Sequence, residues 1–159
     1  MANMQPRNSA INPVNLSLQN LGVDGRVVRA ESMFVYSTPS VVSLATSASS
    51  TSNIQIQADS VFELRRLSFF AFVTGTPTTA ITYPPILLNI ADTSSGANLF
   101  DTAMPLGAIA FGGAGFGPFD VPAPRFFARN ATVTLTFTNL SGATAYSVYF
   151  NLQGRKLFA

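Results

Sequence analysis

The side chains that carry most enzymatic chemistry are missing from this sequence. Its 159 residues include no His and no Cys. That removes Ser-His and Cys-His nucleophile couples, thiolates, the usual zinc ligands, haem and iron-sulfur ligation, and every disulfide. Carboxylates are what remain, seven of them: Asp24, Glu31, Asp59, Glu63, Asp92, Asp101 and Asp120. Glycoside hydrolysis needs two such groups facing each other across a sugar, and no spacing among the seven singles out a pair. Each reads as a turn residue or a solvated strand residue. No catalytic residue, metal ligand or cofactor site is therefore assigned, and the chain is expected not to be an enzyme.

The basic residues point to no polyanion either. Nine Lys and Arg against seven acids give a net charge of +2, and the isoelectric point of 9.4 reflects a small imbalance in a charge-poor chain. Arg65-Arg66 and Arg155-Lys156 are the longest cationic runs, and the others are scattered from Arg7 onward. Nucleic-acid binding wants clustered cations with interleaved aromatics. Arg125-Phe126-Phe127-Ala128-Arg129 has that composition, but two Arg beside a strand also keep an edge from unwanted pairing, and the second reading is preferred. Gly112, Gly113, Gly115 and Gly117 match neither a phosphate loop nor a dinucleotide loop. They mark a loop whose Phe111, Phe116 and Phe119 either fold over the mouth of the domain or insert into a neighbouring subunit. Asn15, Asn130 and Asn139 fit the glycosylation sequon by chance, since no basic and apolar leader opens the chain. No apolar stretch reaches the about 18 residues of a spanning helix, so neither a membrane nor a nucleic acid is expected as a partner.

The elements that would position any site are strands. Only 10% of residues are charged while 47% are hydrophobic, with 14 Phe among them, and mean hydropathy is +0.31. One domain with a Phe-rich core follows. Residues 1–25 mix Asn, Ser, Gln, Pro6 and Pro13 with a brief alternation at Val14, Leu16 and Leu18, and read as an extended assembly arm ahead of a single domain over 26–159. The polar tract 46–53 (TSASSTSN) reads as an exposed loop. Residues 131–138 put Val133, Leu135 and Phe137 on one face and four Thr on the other. Residues 146–153 turn Tyr146, Val148, Phe150 and Leu152 inward. The two segments are expected to form a hairpin through Gly142, sharing one core. From Val61 the alternation places Phe62 and Leu64 opposite Glu63 and Arg65, then becomes apolar on both faces from Leu67. A bulge at Arg65-Arg66, or cover on both sides, accounts for the change. Ile86 to Ile90 is a further strand, entered through Tyr83-Pro84-Pro85. No window longer than ten residues holds a capped helical period. The fold class is thus all-β, an antiparallel β-sandwich of jelly-roll form, with an open barrel as the alternative.

The order of several short motifs resembles that of small head proteins of tailed bacteriophages. They are Thr38-Pro-Ser-Val-Val-Ser-Leu-Ala, then Ile54-Gln-Ile-Gln-Ala-Asp-Ser-Val-Phe-Glu-Leu-Arg-Arg-Leu, Ile86-Leu-Leu-Asn-Ile-Ala-Asp-Thr-Ser-Ser-Gly, Pro124-Arg-Phe-Phe and the closing Phe150-Asn-Leu-Gln-Gly-Arg-Lys-Leu-Phe. The resemblance spans roughly residues 34–158. It implies a capsid cement, or decoration, protein: a jelly roll that sits as a homotrimer on the outside of the virion shell and clamps neighbouring subunits of the major capsid protein, after assembly in the host cytoplasm. Two other readings share the fold. One is a receptor- or carbohydrate-binding module of a phage tail or fibre, which would carry exposed Trp or Tyr with Asp and Asn in its loops. The other is a carboxylate-only glycan hydrolase. No partner-binding residue is assigned.

Overall fold

The computed structural model describes residues 28–109, 111–112 and 118–158. The arm expected over residues 1–25 lies outside them, as do Gly113, Gly115, Phe116 and Gly117. The strands are β1 (Ala30–Ser37), β2 (Val42–Leu44), β3 (Ser49–Gln55), β4 (Val61–Val73), β5 (Ile86–Asp92), β6 (Ala97–Asn98), β7 (Met104–Pro105), β8 (Phe111–Gly112), β9 (Phe119–Phe127), β10 (Thr132–Asn139) and β11 (Tyr146–Phe158), with a single turn of helix α1 at Leu106–Ile109. They build two sheets. The first runs β1-β11-β4-β8, with β2 also on β11 and β9 on β4; the second runs β3-β10-β5-β6, with β7 on β5. Taking the main strands, β1-β11-β4-β9 faces β3-β10-β5-β6, the two-sheet strand order of a jelly roll. Two separate sheets replace the barrel alternative.

Alternation in the sequence becomes two-sidedness in the structure. Val133, Leu135 and Phe137 on β10, and Val148, Phe150 and Leu152 on β11, are fully buried, whereas the four Thr of β10 face outward. The two strands meet face to face: the Phe137 and Phe150 rings lie 6.0 Å apart at 69°, an edge-on aromatic contact. Phe62 of β4 extends this core toward Tyr36, at a centroid distance of 4.9 Å.

The switch of pattern in β4 is a bulge. Leu64 pairs with Gly154 and Arg66 with Gln153, leaving Arg65 without an opposite residue on β11. One extra residue moves every later side chain to the other face, so Phe62 and Leu64 point inward before it and Leu67, Phe69 and Ala71 after it. Gly154 makes the bulge possible, because a Cβ there would overlap the Glu63 carbonyl oxygen.

Two expectations are corrected. The polar tract is not a loop throughout, since its second half is β3, paired with β10 from Ser49↔Thr138 to Gln55↔Thr132. Nor do β10 and β11 form a hairpin: they belong to different sheets, and the segment between them crosses the end of the sandwich. Gly142 takes no positive φ. Asn139 does the work instead; its buried amide donates to the carbonyls of Ala45 and Thr144 and accepts from the backbone N–H of Ser141.

Candidate functional site

The chemistry of this molecule lies on the outer faces of its two sheets. On the second sheet, the outward row of β10 is Thr132, Thr134, Thr136 and Thr138, flanked by Gln55, Asn53, Thr51 and Ser49 of β3. Their side chains bond to one another: Thr132 Oγ1 to Gln55 Oε1 at 2.8 Å, Thr134 Oγ1 to Asn53 Oδ1 at 2.9 Å, and Ser49 Oγ with Thr138 Oγ1 at 2.8 Å. Leu87, Asn89 and Ala91 of β5 continue the face on the far side of β10. No charged residue occurs in β3 or β10. The result is a surface made mostly of hydroxyl and amide groups, three cross-strand pairs of which are bonded to each other, with no ionic charge across β3 and β10.

The outer face of the first sheet is different. Met33 and Val35 on β1, Phe70 on β4, Phe126 on β9 and Tyr149 on β11 are large apolar side chains left exposed. Tyr149 lies directly opposite Phe70, whose ring is 5.7 Å from that of Phe72. Level with Met33, which lies opposite Arg155, and six residues along β11 from Tyr149, runs an ionic network. Arg155 on the central strand donates to Glu31 Oε2 at 2.6 Å and to Glu63 Oε2 at 2.7 Å, and Arg65 reaches Glu63 Oε1 at 3.0 Å. Beside it, Arg66 pairs with Asp120 at 2.6 Å, and these residues line an open groove of about 380 Å³ together with Met33 and Pro122.

The network and its surroundings place the candidate carboxylates. Glu31 and Glu63 are brought together, but through a guanidinium rather than across a cavity. Burial pushes the Glu63 carboxyl up; the hydrogen bonds and charges of Arg155 and Arg65 outweigh it and hold the group below the ordinary carboxylate range. That is opposite to the raised value a general acid needs. Asp59 is held low by the Ser60 hydroxyl and by Lys156. Lys156 is itself buried, bonded to Gln57 and set 4.2 Å over the Phe34 ring. Asp92 accepts from the Ser94 and Ser95 N–H groups and fastens the turn after β5. Asp101 is exposed and Asp24 lies outside the described residues. Among the described residues, no three acidic side chains group as a metal site would require.

The other candidates fall into place on the fold. Arg125 sits on β9, an edge strand that also holds Pro122 and Pro124, the composition that resists added pairing. Phe119 lines an apolar groove of about 350 Å³ with Leu67, Phe100, Ile109 and Val121. The exposed Phe70 and Tyr149 were not singled out by sequence reasoning. The available signal was parity: once Arg65 is counted as a bulge, Phe70 must point outward.

No protein-family model and no curated protein matches the chain. Among solved structures, it is similar to a chain described as the "Cyanophage Pam1 capsid asymmetric unit", with 17% sequence identity, a TM-score of 0.44, and coverage of 82% of this chain and 88% of that one.

Proposed function

We propose that this protein is a structural component of a phage virion that binds the outside of the capsid and stabilises the shell by clamping neighbouring major capsid subunits, without catalysis. The observation that carries the reading is the pair of outer faces. One is free of charge across β3 and β10, and the other sets exposed Met33, Phe70, Phe126 and Tyr149 around ion pairs that are already satisfied. Interface cores are depleted of charge and enriched in aromatic residues and Met, and exposed apolar patches mark contact surfaces. Two such faces on opposite sides of one sandwich suit two kinds of neighbour, a capsid subunit and another copy of this chain in a homotrimer. The motif order resembling small phage head proteins supports the same assignment. Each contact made after the first forms at high effective concentration, and a protein that binds the closed shell better than its open form stabilises the shell by mass action.

The test is sedimentation with assembled particles. Purified protein is expected to pellet with shells that lack it and to raise their disruption temperature, and to show no turnover of glycans. Protein that stays in the supernatant at every shell concentration, or that binds glycans instead, overturns the reading.

A further inference from the structure

We propose that this protein closes a covalent staple on itself, an amide bond from Lys156 Nζ to the side-chain carbonyl carbon of Gln57, formed with release of ammonia. Lys156 is the only lysine in the chain. It lies near the end of β11, opposite Ser32 of β1 and Phe62 of β4, and its side chain is 6% exposed. The Phe34 ring covers the amine at 4.2 Å. Lysine is almost never so enclosed unless it is paired, because a buried charge is costly. Its polar neighbours come from the segment that carries the chain from β3 in one sheet to β4 in the other. Nζ donates to Gln57 Oε1, and Asp59 Oδ2 lies at 3.4 Å.

Both neighbours are held in place. The Gln57 backbone N–H donates to the Tyr36 hydroxyl at 3.1 Å, and the Ser60 hydroxyl donates to Asp59 Oδ1 at 2.8 Å. An amine fixed against a carboxamide reacts as though at very high concentration, and a carboxylate beside it can move the protons. Asp59 takes one proton from the ammonium. The freed lone pair attacks Gln57 Cδ, and the carbonyl electron pair shifts to Oε1. As the carbonyl re-forms, the Cδ–Nε2 bond breaks; Asp59 passes its proton to the departing nitrogen and takes a second one from Nζ. The released ammonia collects that proton and leaves as ammonium, so one ammonium enters as a side chain and one departs free. The product buries a neutral amide where a charge stood. Gln57 and Asp59 lie at the surface, so the leaving group escapes to solvent while the nucleophile stays enclosed. The staple ties the last strand to the crossing between the sheets over a separation of 99 residues, and restricts the unfolded chain as a disulfide does. The inference is independent of the capsid reading, since the reaction lies within one chain.

Intact-mass spectrometry of the full-length protein, unfolded before injection, reads the bond directly. The protein is expected to be lighter than its sequence mass by one ammonia, and fragmentation should yield a branched peptide joining Gln57 to Lys156. Gln57→Glu keeps an oxygen for the amine but has no ammonia to lose, and should keep its full mass. The full sequence mass in the parent protein overturns the proposal. So does a deficit that persists in Gln57→Glu, or a parent deficit of one water, which puts the bond on Asp59 instead. Followed by mass after a pulse of cell-free synthesis, Asp59→Asn should close the bond at least about a hundred-fold more slowly than the parent, and equal rates overturn the proton transfer through Asp59.

Discussion

Arg155 joins three strands at one atom cluster, holding Glu31 of β1 and Glu63 of β4 from its place on β11. Its partner Glu63 is buried, so the pair is shielded from solvent in a way that the exposed Arg66–Asp120 pair is not. The Glu63 carboxyl is held below its ordinary value in the folded protein. A depressed folded value means that Glu63 contributes stability above its unfolded value of about 4.3, and that this contribution is lost as pH falls through the folded value. Denaturant melts between pH 7 and pH 3 should show that acid loss, and Glu63→Gln should flatten that part of the profile. Gly154 offers a second test at this scale. Gly154→Ala drives a methyl group into the Glu63 carbonyl, which is backbone and cannot swing aside as a side chain can, and against the buried Phe62 ring. The variant should lose stability at or above the upper end of the about 1–3 kcal/mol that overpacking costs, read as a shift in the denaturant midpoint.

The strands β10 and β11 have unlike faces, and substitutions should respect the difference. Truncating a fully buried Phe costs about 3–5 kcal/mol, against the roughly 5–15 kcal/mol that holds a domain together. Phe137→Ala and Phe150→Ala should therefore unfold or nearly unfold the free protein, while Thr134→Ala, which removes one outward hydroxyl bond to Asn53, should stay within about 1 kcal/mol; thermal or urea melts of the three decide. These faces were legible because Val, Leu and Phe alternate with Thr. The bulge was legible for the same reason, as a change of parity at Arg65. β3 was not, because Ser50 and Ser52 turn inward as Ser49 and Thr51 turn out, and alternation between polar residues leaves no contrast to read. The crossing from β10 to β11 was hidden too. A short glycine-bearing connection looks alike whether it closes a hairpin or changes sheet, and the contact that decides is the Asn139 amide reaching Ala45, distant in sequence. The candidate surface was legible in chemistry, as an absence of charge, but not in place. Which Phe faces water depends on the bulge, and which acids meet depends on Arg155.

The whole molecule is a two-faced plate, and each face can be spoiled without unfolding it. Tyr149→Glu puts a charge beside Phe70 on the exposed side of the first sheet. The free variant should melt like the parent to within about 1 kcal/mol. Its attachment to particles should weaken by at least about 2 kcal/mol, roughly thirty-fold, if that face seats a capsid subunit. Thr136→Arg is the same test for the uncharged face. Quantitative sedimentation, with light scattering of the free variants, tests whether either face seats a capsid subunit or a second copy of this chain. A different consequence follows from the position of β11. It is the central strand of the first sheet, flanked by β1, β2 and β4, yet it follows all of them in the chain, and the Glu31–Arg155 contact closes a separation of 124 residues. The ribosome must therefore deliver the chain through residue 158 before that sheet can close. Until then β1 and β4 have no strand between them, so closure of that sheet waits for β11 and, with such long-range pairing, falls in the slow millisecond-to-second class. Nascent chains stalled before residue 146 should remain fully sensitive to protease, because β1 and β4 then lack the strand that joins them, and neither can form its sheet alone.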